Sequence, residues 1–297
     1  MTVPDAPNRS RALGYALIAV AATSWGTWPL FLRHAAMPPS LSAAIVMAIM
    51  TFGTVPMLVR DRLRSKPTRA QWAQLAWLGV ADALNVVLLF AAYARTSVAI
   101  AVLTHYLTPL FVALAAPLVV AERMQRRTLG AVAFSFAGLI LLLEPWRATF
   151  GDRDLVGAAC GAASAAFYAS NVLVNKRLTA AFSGSELVVF HGLVATPLLI
   201  LLVPASATAG VSGHALAVLV LGAFGPGVLG GLFFVWGLRR VPATHASVLT
   251  LIEPLVAVLC GAVAFGEVLG PWPLFGGLLI LLGAIAVISA PTRAEHG

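Results

Sequence analysis

The chain has 297 residues, 60% of them apolar and 10% charged, with a mean hydropathy of +0.93. A soluble domain carries about 25% charged residues, so too little polar surface exists here to coat a water-soluble globule, and an integral membrane protein is expected. The net charge of +8 does not point to nucleic acid, because the basic residues sit in short clusters between apolar runs, as they do where they orient membrane helices.

A helix needs roughly 17–25 apolar residues to cross a bilayer. That length predicts ten spans, at 12–32, 40–59, 71–94, 98–120, 128–146, 154–175, 185–204, 213–238, 244–264 and 271–290. Arg9 and Arg11 precede the first run as in a signal peptide, but the run is too long for one and no small-residue cleavage site follows. None of the runs alternates as membrane-barrel strands do. Trp72, Trp146 and Trp272 fall near predicted span ends, where aromatic belts form. Cys160 and Cys260 lie inside apolar runs without metal-ligand spacing and read as small buried hydrophobes. No metal or cofactor site is indicated.

Charge sets the expected orientation. With the N-terminus cytoplasmic, the inside segments hold Arg9, Arg11, Arg60, Arg62, Arg64, Lys66, Arg69, Arg123, Arg126, Arg127, Lys176, Arg177, Arg239, Arg240 and Arg293. Of 19 Lys and Arg residues, only Arg33, Arg95, Arg147 and Arg153 fall outside. Both termini are therefore expected to be cytoplasmic.

The chain also repeats itself. Thr244 to Glu267 matches residues 99 to 122 at an offset of 145, placing Glu253 on Thr108, Pro254 on Pro109 and Glu267 on Glu122. Gly283 falls on Gly138 at the same offset. Ala165 to Lys176 aligns loosely with Ala22 to Arg33 at 143, placing Tyr168 on Trp25 and Lys176 on Arg33. Residues 1–147 and 148–297 then form two halves of five spans each. An odd number of spans inverts the second half relative to the first. Such inverted halves can open a central site to either side in turn, with substrate held near the midplane beside helices broken by Pro or Gly. Pro109, Pro254 and Pro226, flanked by Gly225 and Gly227, fit as hinge or gating positions.

Ten spans in two repeats, with Glu253, Pro254 and Glu267 echoed by Thr108, Pro109 and Glu122, resemble the EamA-type transporters of the drug/metabolite transporter superfamily. Within that family the chain looks most like bacterial inner-membrane exporters of amino acids, including aromatic ones. The resemblance implies export of a small molecule through a cavity between the halves. It departs from the pattern where Thr108 replaces the glutamate of the second repeat.

Ionisable groups inside a span cost on the order of 2.5–3.5 kcal/mol on insertion scales and are functional candidates by default. Asp82 and Asn85 lie in the third span and align with Gly227 and Gly230 at the 145 offset. A cavity polar on one side and backbone-lined on the other follows. His105 and Thr108 share a face of the fourth span, and His191 is a weaker candidate in the seventh. Ser164, Tyr168, Asn171 and Asn175 form a polar stripe on the sixth, readable as substrate contacts or as interhelical glue. Glu253 reads either as a substrate carboxylate or as an architectural group serving backbone freed by Pro254. Asp82, whose repeat partner is glycine, favours the functional reading. Trp25 and Tyr168 would wall the cavity for an apolar or cationic group. The expected substrate contacts are thus Trp25, Asp82, Asn85, His105, Thr108, Tyr168, Asn171 and Glu253.

The expected protein is a monomeric, multi-pass transporter of the inner membrane, without catalytic residues. A proton-coupled multidrug exporter is the alternative, motivated by two buried acids. An intramembrane enzyme is a further one, although no HExxH or GxSxG occurs.

Overall fold

The computed structural model describes residues 6–58, 66–122, 125–148 and 151–289. Of the basic residues used above for orientation, Arg60, Arg62, Arg64, Arg123 and Arg293 lie outside that set. The described residues hold ten helical stretches long and apolar enough to cross a membrane. These are Arg9–Ala35, Pro39–Leu58, Arg69–Tyr93, Val98–Val119, Arg126–Arg147, Asp152–Leu178, Gly184–Leu201, Gly213–Leu238, Ala243–Phe265 and Pro271–Ile288, called spans 1 to 10. Each overlaps its expected segment, with ends that differ by a few residues.

Local chemistry sets several of the ends. Span 3 opens on a capping box in which Thr68 accepts from the Gln71 amide and Gln71 returns the bond. Span 7 opens on the same device from Ser183 and Glu186. Each box satisfies amides that the first turn leaves without acceptors.

Apart from the short 3-10 turn, Pro145–Arg147, that ends span 5, four spans are interrupted. Span 4 consists of Val98–His105 and Thr108–Val119, and span 9 of Ala243–Leu249 and Ile252–Phe265. Both restart at their prolines, because Pro109 and Pro254 fall in the first turn of the second helix, where a missing N–H leaves no bond unmade. Span 1 breaks at Thr27, ahead of Pro29. In span 8, Pro226 sits inside a π-helical segment, Ala223–Leu229, whose wider turn accommodates the lost donor.

The packing has the symmetry that the repeat demands. Spans 5 and 10 pair, as do spans 2 and 7; the contact of span 3 with span 6 is matched by that of span 8 with span 1. Equivalent residues meet where the halves cross: the Thr51 and Thr196 hydroxyls, 145 residues apart, hydrogen-bond at 3.1 Å. Span 5 lies so close to span 10 that a Cβ on Gly138 would sit 2.7 Å from the Gly276 carbonyl and 2.9 Å from the Ile280 amide. Its equivalent Gly283 packs against Ala131 and Ser135, the positions equivalent to Gly276 and Ile280. Lipid offers no hydrophobic incentive for helices to associate, so close packing of small residues holds the two halves together. The outer surface repeats too: the equivalent residues Leu118 and Val263 are 88% and 87% exposed.

Candidate functional site

Span 6 carries the hub. Ser164 is fully buried, and its hydroxyl lies 2.7 Å from Asn85 Oδ1, 2.9 Å from the Asn85 carbonyl and 2.9 Å from His105 Nδ1. A hydroxyl has one proton to give. With that proton shared between the two Asn85 oxygens, His105 Nδ1 must be the donor to Ser164, which assigns the imidazole tautomer. One turn along span 6, the Tyr168 ring stacks on His105, with centroids 5.5 Å apart and planes 8° from parallel. Thr108 closes the corner by donating to the His105 carbonyl at 2.8 Å, with the Ala165 carbonyl at 3.3 Å.

The two acids flank this hub. Asp82 on span 3 lies 3.8 Å from His191 Nε2 on span 7, an ion pair when the imidazole is protonated. Glu253 on span 9 lies within electrostatic reach of Tyr106, whose ring stands edge-on to His105. Tyr168 lies within electrostatic reach of both carboxylates, and Tyr93 within reach of Glu253. Spans 3, 4, 6, 7 and 9 thus bring Asp82, Asn85, His105, Tyr168, His191 and Glu253 into one polar cluster built from both halves.

The other expected contacts fall elsewhere. Asn171 is turned away: it donates to the Leu78 carbonyl at 3.4 Å and accepts from Asn175 at 2.7 Å, tying span 6 to span 3. Trp25 packs on Phe234, centroids 5.2 Å apart, with Nε1 only 2.8 Å from where a Gly230 Cβ would stand. Met50 lies over Gly227 in the same way, at 3.1 Å. The side of the cavity expected to be backbone-lined is therefore filled. Glycines replace Asp82 and Asn85 in the second half because bulky side chains need that room. Cys160 and Cys260 are half-buried free thiols.

Tyr106 and Tyr93 carry no signal of their own in the sequence. Neither interrupts an apolar run as a charge does, and their closeness to Glu253 arises only where the spans meet.

The two ends of the bundle differ. At the end holding Lys176 and Glu122, the corner between spans 8 and 9 is shut: Leu238, Val241 and Ala243 are at most 1% exposed. Lys176 donates to the Leu238 and Val241 carbonyls at 2.8 and 2.7 Å, and Glu122 accepts from the Ala243 amide at 2.8 Å and the Thr244 amide at 3.3 Å. Buried beside them, the Tyr15 hydroxyl meets His245 Nδ1 at 2.7 Å, and Thr128 lies 3.3 Å from Nε2. At the opposite end, the equivalent corner between spans 3 and 4 is open, with Tyr93 39% and Val98 66% exposed.

Ten spans in two inverted halves, with a polar cluster drawn from both and equivalent corners closed at one end and exposed at the other, define a membrane transporter. The EamA-like transporter family matches the chain twice, over residues 12–144 and 155–289. The chain belongs to that family. An uncharacterized transporter of Archaeoglobus fulgidus is 30% identical over 280 residues, covering 93% of this chain and 97% of that protein. Another, from Clostridium kluyveri, is 22% identical over 297 residues and 95% of each chain. A solved crystal structure at 20% identity superposes with a TM-score of 0.77 over 94% of this chain and 98% of its own, a likeness of fold. The family consists of transporters rather than enzymes, which sets aside the intramembrane-enzyme alternative.

Proposed function

We propose that the protein exports amino acids or related small metabolites across the inner membrane by alternating access between residues 1–147 and 148–297. The observation that carries the reading is that Tyr168, stacked on His105 at the Ser164 hub, lies within electrostatic reach of both Asp82 and Glu253, carboxylates contributed by opposite halves. A substrate ammonium would sit against these acids, Asp82 first. Its carboxylate would meet Asn85, Ser164 and Thr108, and its side chain the rings of Tyr168 and Tyr106. Trp25 supports this wall from behind rather than touching substrate. Pro109, Pro254 and Pro226 mark the interruptions about which spans 4, 9 and 8 would bend.

The distribution of basic residues supports cytoplasmic termini, which makes the shut end cytoplasmic and the open end external. Ten spans enclose a site within one chain, in keeping with a monomer. The test is counterflow in proteoliposomes across the amino acids, with and without a pH gradient. Exchange of a subset of amino acids is expected; no exchange of any of them would overturn the substrate class.

The Asp82–His191 pair favours a second reading, proton-coupled export of cationic drugs, since each group can carry a proton. Drug-dependent proton flux abolished by His191→Gln would select that reading over the first.

A further inference from the structure

The shut end and the open end contain equivalent residues in different partnerships. Glu122 and Glu267 are equivalent at the 145 offset, and Lys176 and Arg33 at 143. At the shut end, Glu122 holds the first two amides of span 9, Ala243 and Thr244. Lys176, within electrostatic reach of Glu122, holds two carbonyls at the end of span 8. Together these two residues clamp the corner between spans 8 and 9.

At the open end, the same two positions bind each other. Arg33 donates to Glu267 at 2.7 Å, with both side chains about half exposed, and its guanidinium rests 4.4 Å above the Phe265 ring. The groups equivalent to those clamped at the shut end are the Tyr93 and Thr96 carbonyls and the Val98 and Ala99 amides. The first two amides of a helix have no acceptor inside it. Ser97 serves the third, Ile100, at 3.3 Å. The corner from Ala94 to Ser97 borders an open cleft of about 460 Å³, lined also by Arg147 and Asp154.

We infer that Glu122 and Glu267 are alternating latches: when the open end shuts, Glu267 leaves Arg33 for the Val98 and Ala99 amides, and Glu122 releases Ala243 and Thr244. Arg33 then takes the Tyr93 and Thr96 carbonyls, as Lys176 takes those of span 8. The exposed Arg33–Glu267 pair is a parking contact. A solvated ion pair is held weakly, so it can be exchanged for charge-assisted bonds to buried amides, which are stronger. The mirror exchange at Glu122 balances the gain at one end against a loss at the other. Neither state is then a trap, as a transport cycle requires. The inference rests on the alternating-access reading.

The test is double electron–electron resonance on the full chain in lipid nanodiscs, with Cys160→Ala and Cys260→Ala and spin labels at Val98→Cys and Val268→Cys. Both labelled positions are exposed, at 66% and 96%. The background chain is expected to show a long and a short distance population. Glu267→Gln should lose the short one, and Glu122→Gln should enlarge it at the expense of the long one. A static structural role would move both variants alike or neither. Two populations left in place by both variants, or shifted in the same direction, overturn the latch alone. A single population in the background chain overturns the latch together with alternating access. Should a glutamine variant not yield monodisperse protein, Glu267→Asp and Glu122→Asp, which keep the charge but shorten its reach, are expected to shift the populations in the same opposite senses.

Discussion

Replacing Ser164 with alanine removes one oxygen from the middle of the membrane, and the consequences can be counted. The hydroxyl is fully buried, donates to Asn85 and accepts from His105. Two interhelical bonds at roughly 0.6 kcal/mol each, the average measured inside membranes, set a floor of about 1 kcal/mol. The Asn85 amide oxygen and His105 Nδ1 then lose a partner in a site too tight for an easy substitute, and an unsatisfied buried group costs about 1–3 kcal/mol. The expected loss is about 2–4 kcal/mol. In detergent it should lower the thermal midpoint by about 5 °C or more. The loss should also release the His105 ring from its stack on Tyr168, so substrate affinity measured by counterflow should fall alongside stability. Ser164→Thr should keep the donor but press its methyl on neighbours, recovering affinity better than stability. A Ser164→Ala protein with unchanged midpoint and unchanged affinity would refute the hub.

Other outcomes follow from the same geometry. Tyr106→Phe removes the hydroxyl within electrostatic reach of Glu253 and is expected to weaken transport with little loss of stability, read by counterflow and thermal melting on one preparation. Gly230→Val drives a side chain into Trp25 and should destabilise by about 1–3 kcal/mol, as overpacking does; adding Trp25→Ala should restore much of the loss, measured as a double-mutant cycle. Gly283→Leu collides with Ser135 and the Ala131 carbonyl on span 5 and is expected to abolish monodisperse protein, whereas Gly130→Ala, with open space around it, should leave yield and melting unchanged.

What the sequence made legible depended on the range of the physics. Span lengths are a local property of apolar runs, and all ten followed from it. Proline restricts its own neighbourhood, so the breaks in spans 4 and 9 could be placed from Pro109 and Pro254. The 145-residue offset carried more: it aligned Gly138 with Gly283, which take equivalent places where span 5 meets span 10, and in the structure the likewise equivalent Thr51 and Thr196 touch. The details of the site were less visible because they depend on how the helices rotate. Ser164, Tyr168, Asn171 and Asn175 read as one stripe, yet the first two face the cluster and the last two tie span 6 to span 3. Tyr106 is aligned with Leu251, a residue without a polar group, so the repeat could not flag it. Trp25 and Tyr168 are equivalent in sequence, but Trp25 packs on Gly230 and Phe234 while Tyr168 stacks on His105, and only the tyrosine enters the polar cluster.

The account stands most directly on Asp82. Wild-type and Asp82→Asn proteins, matched for folded amount and reconstituted in proteoliposomes, can be compared by counterflow of whichever amino acid the wild type exchanges. Asparagine keeps the size and removes the charge, so any packing role of Asp82 should survive. The account predicts exchange reduced by at least about tenfold, the equivalent of about 1.4 kcal/mol of lost substrate interaction, with an unchanged melting profile. Near-normal exchange by Asp82→Asn would contradict it.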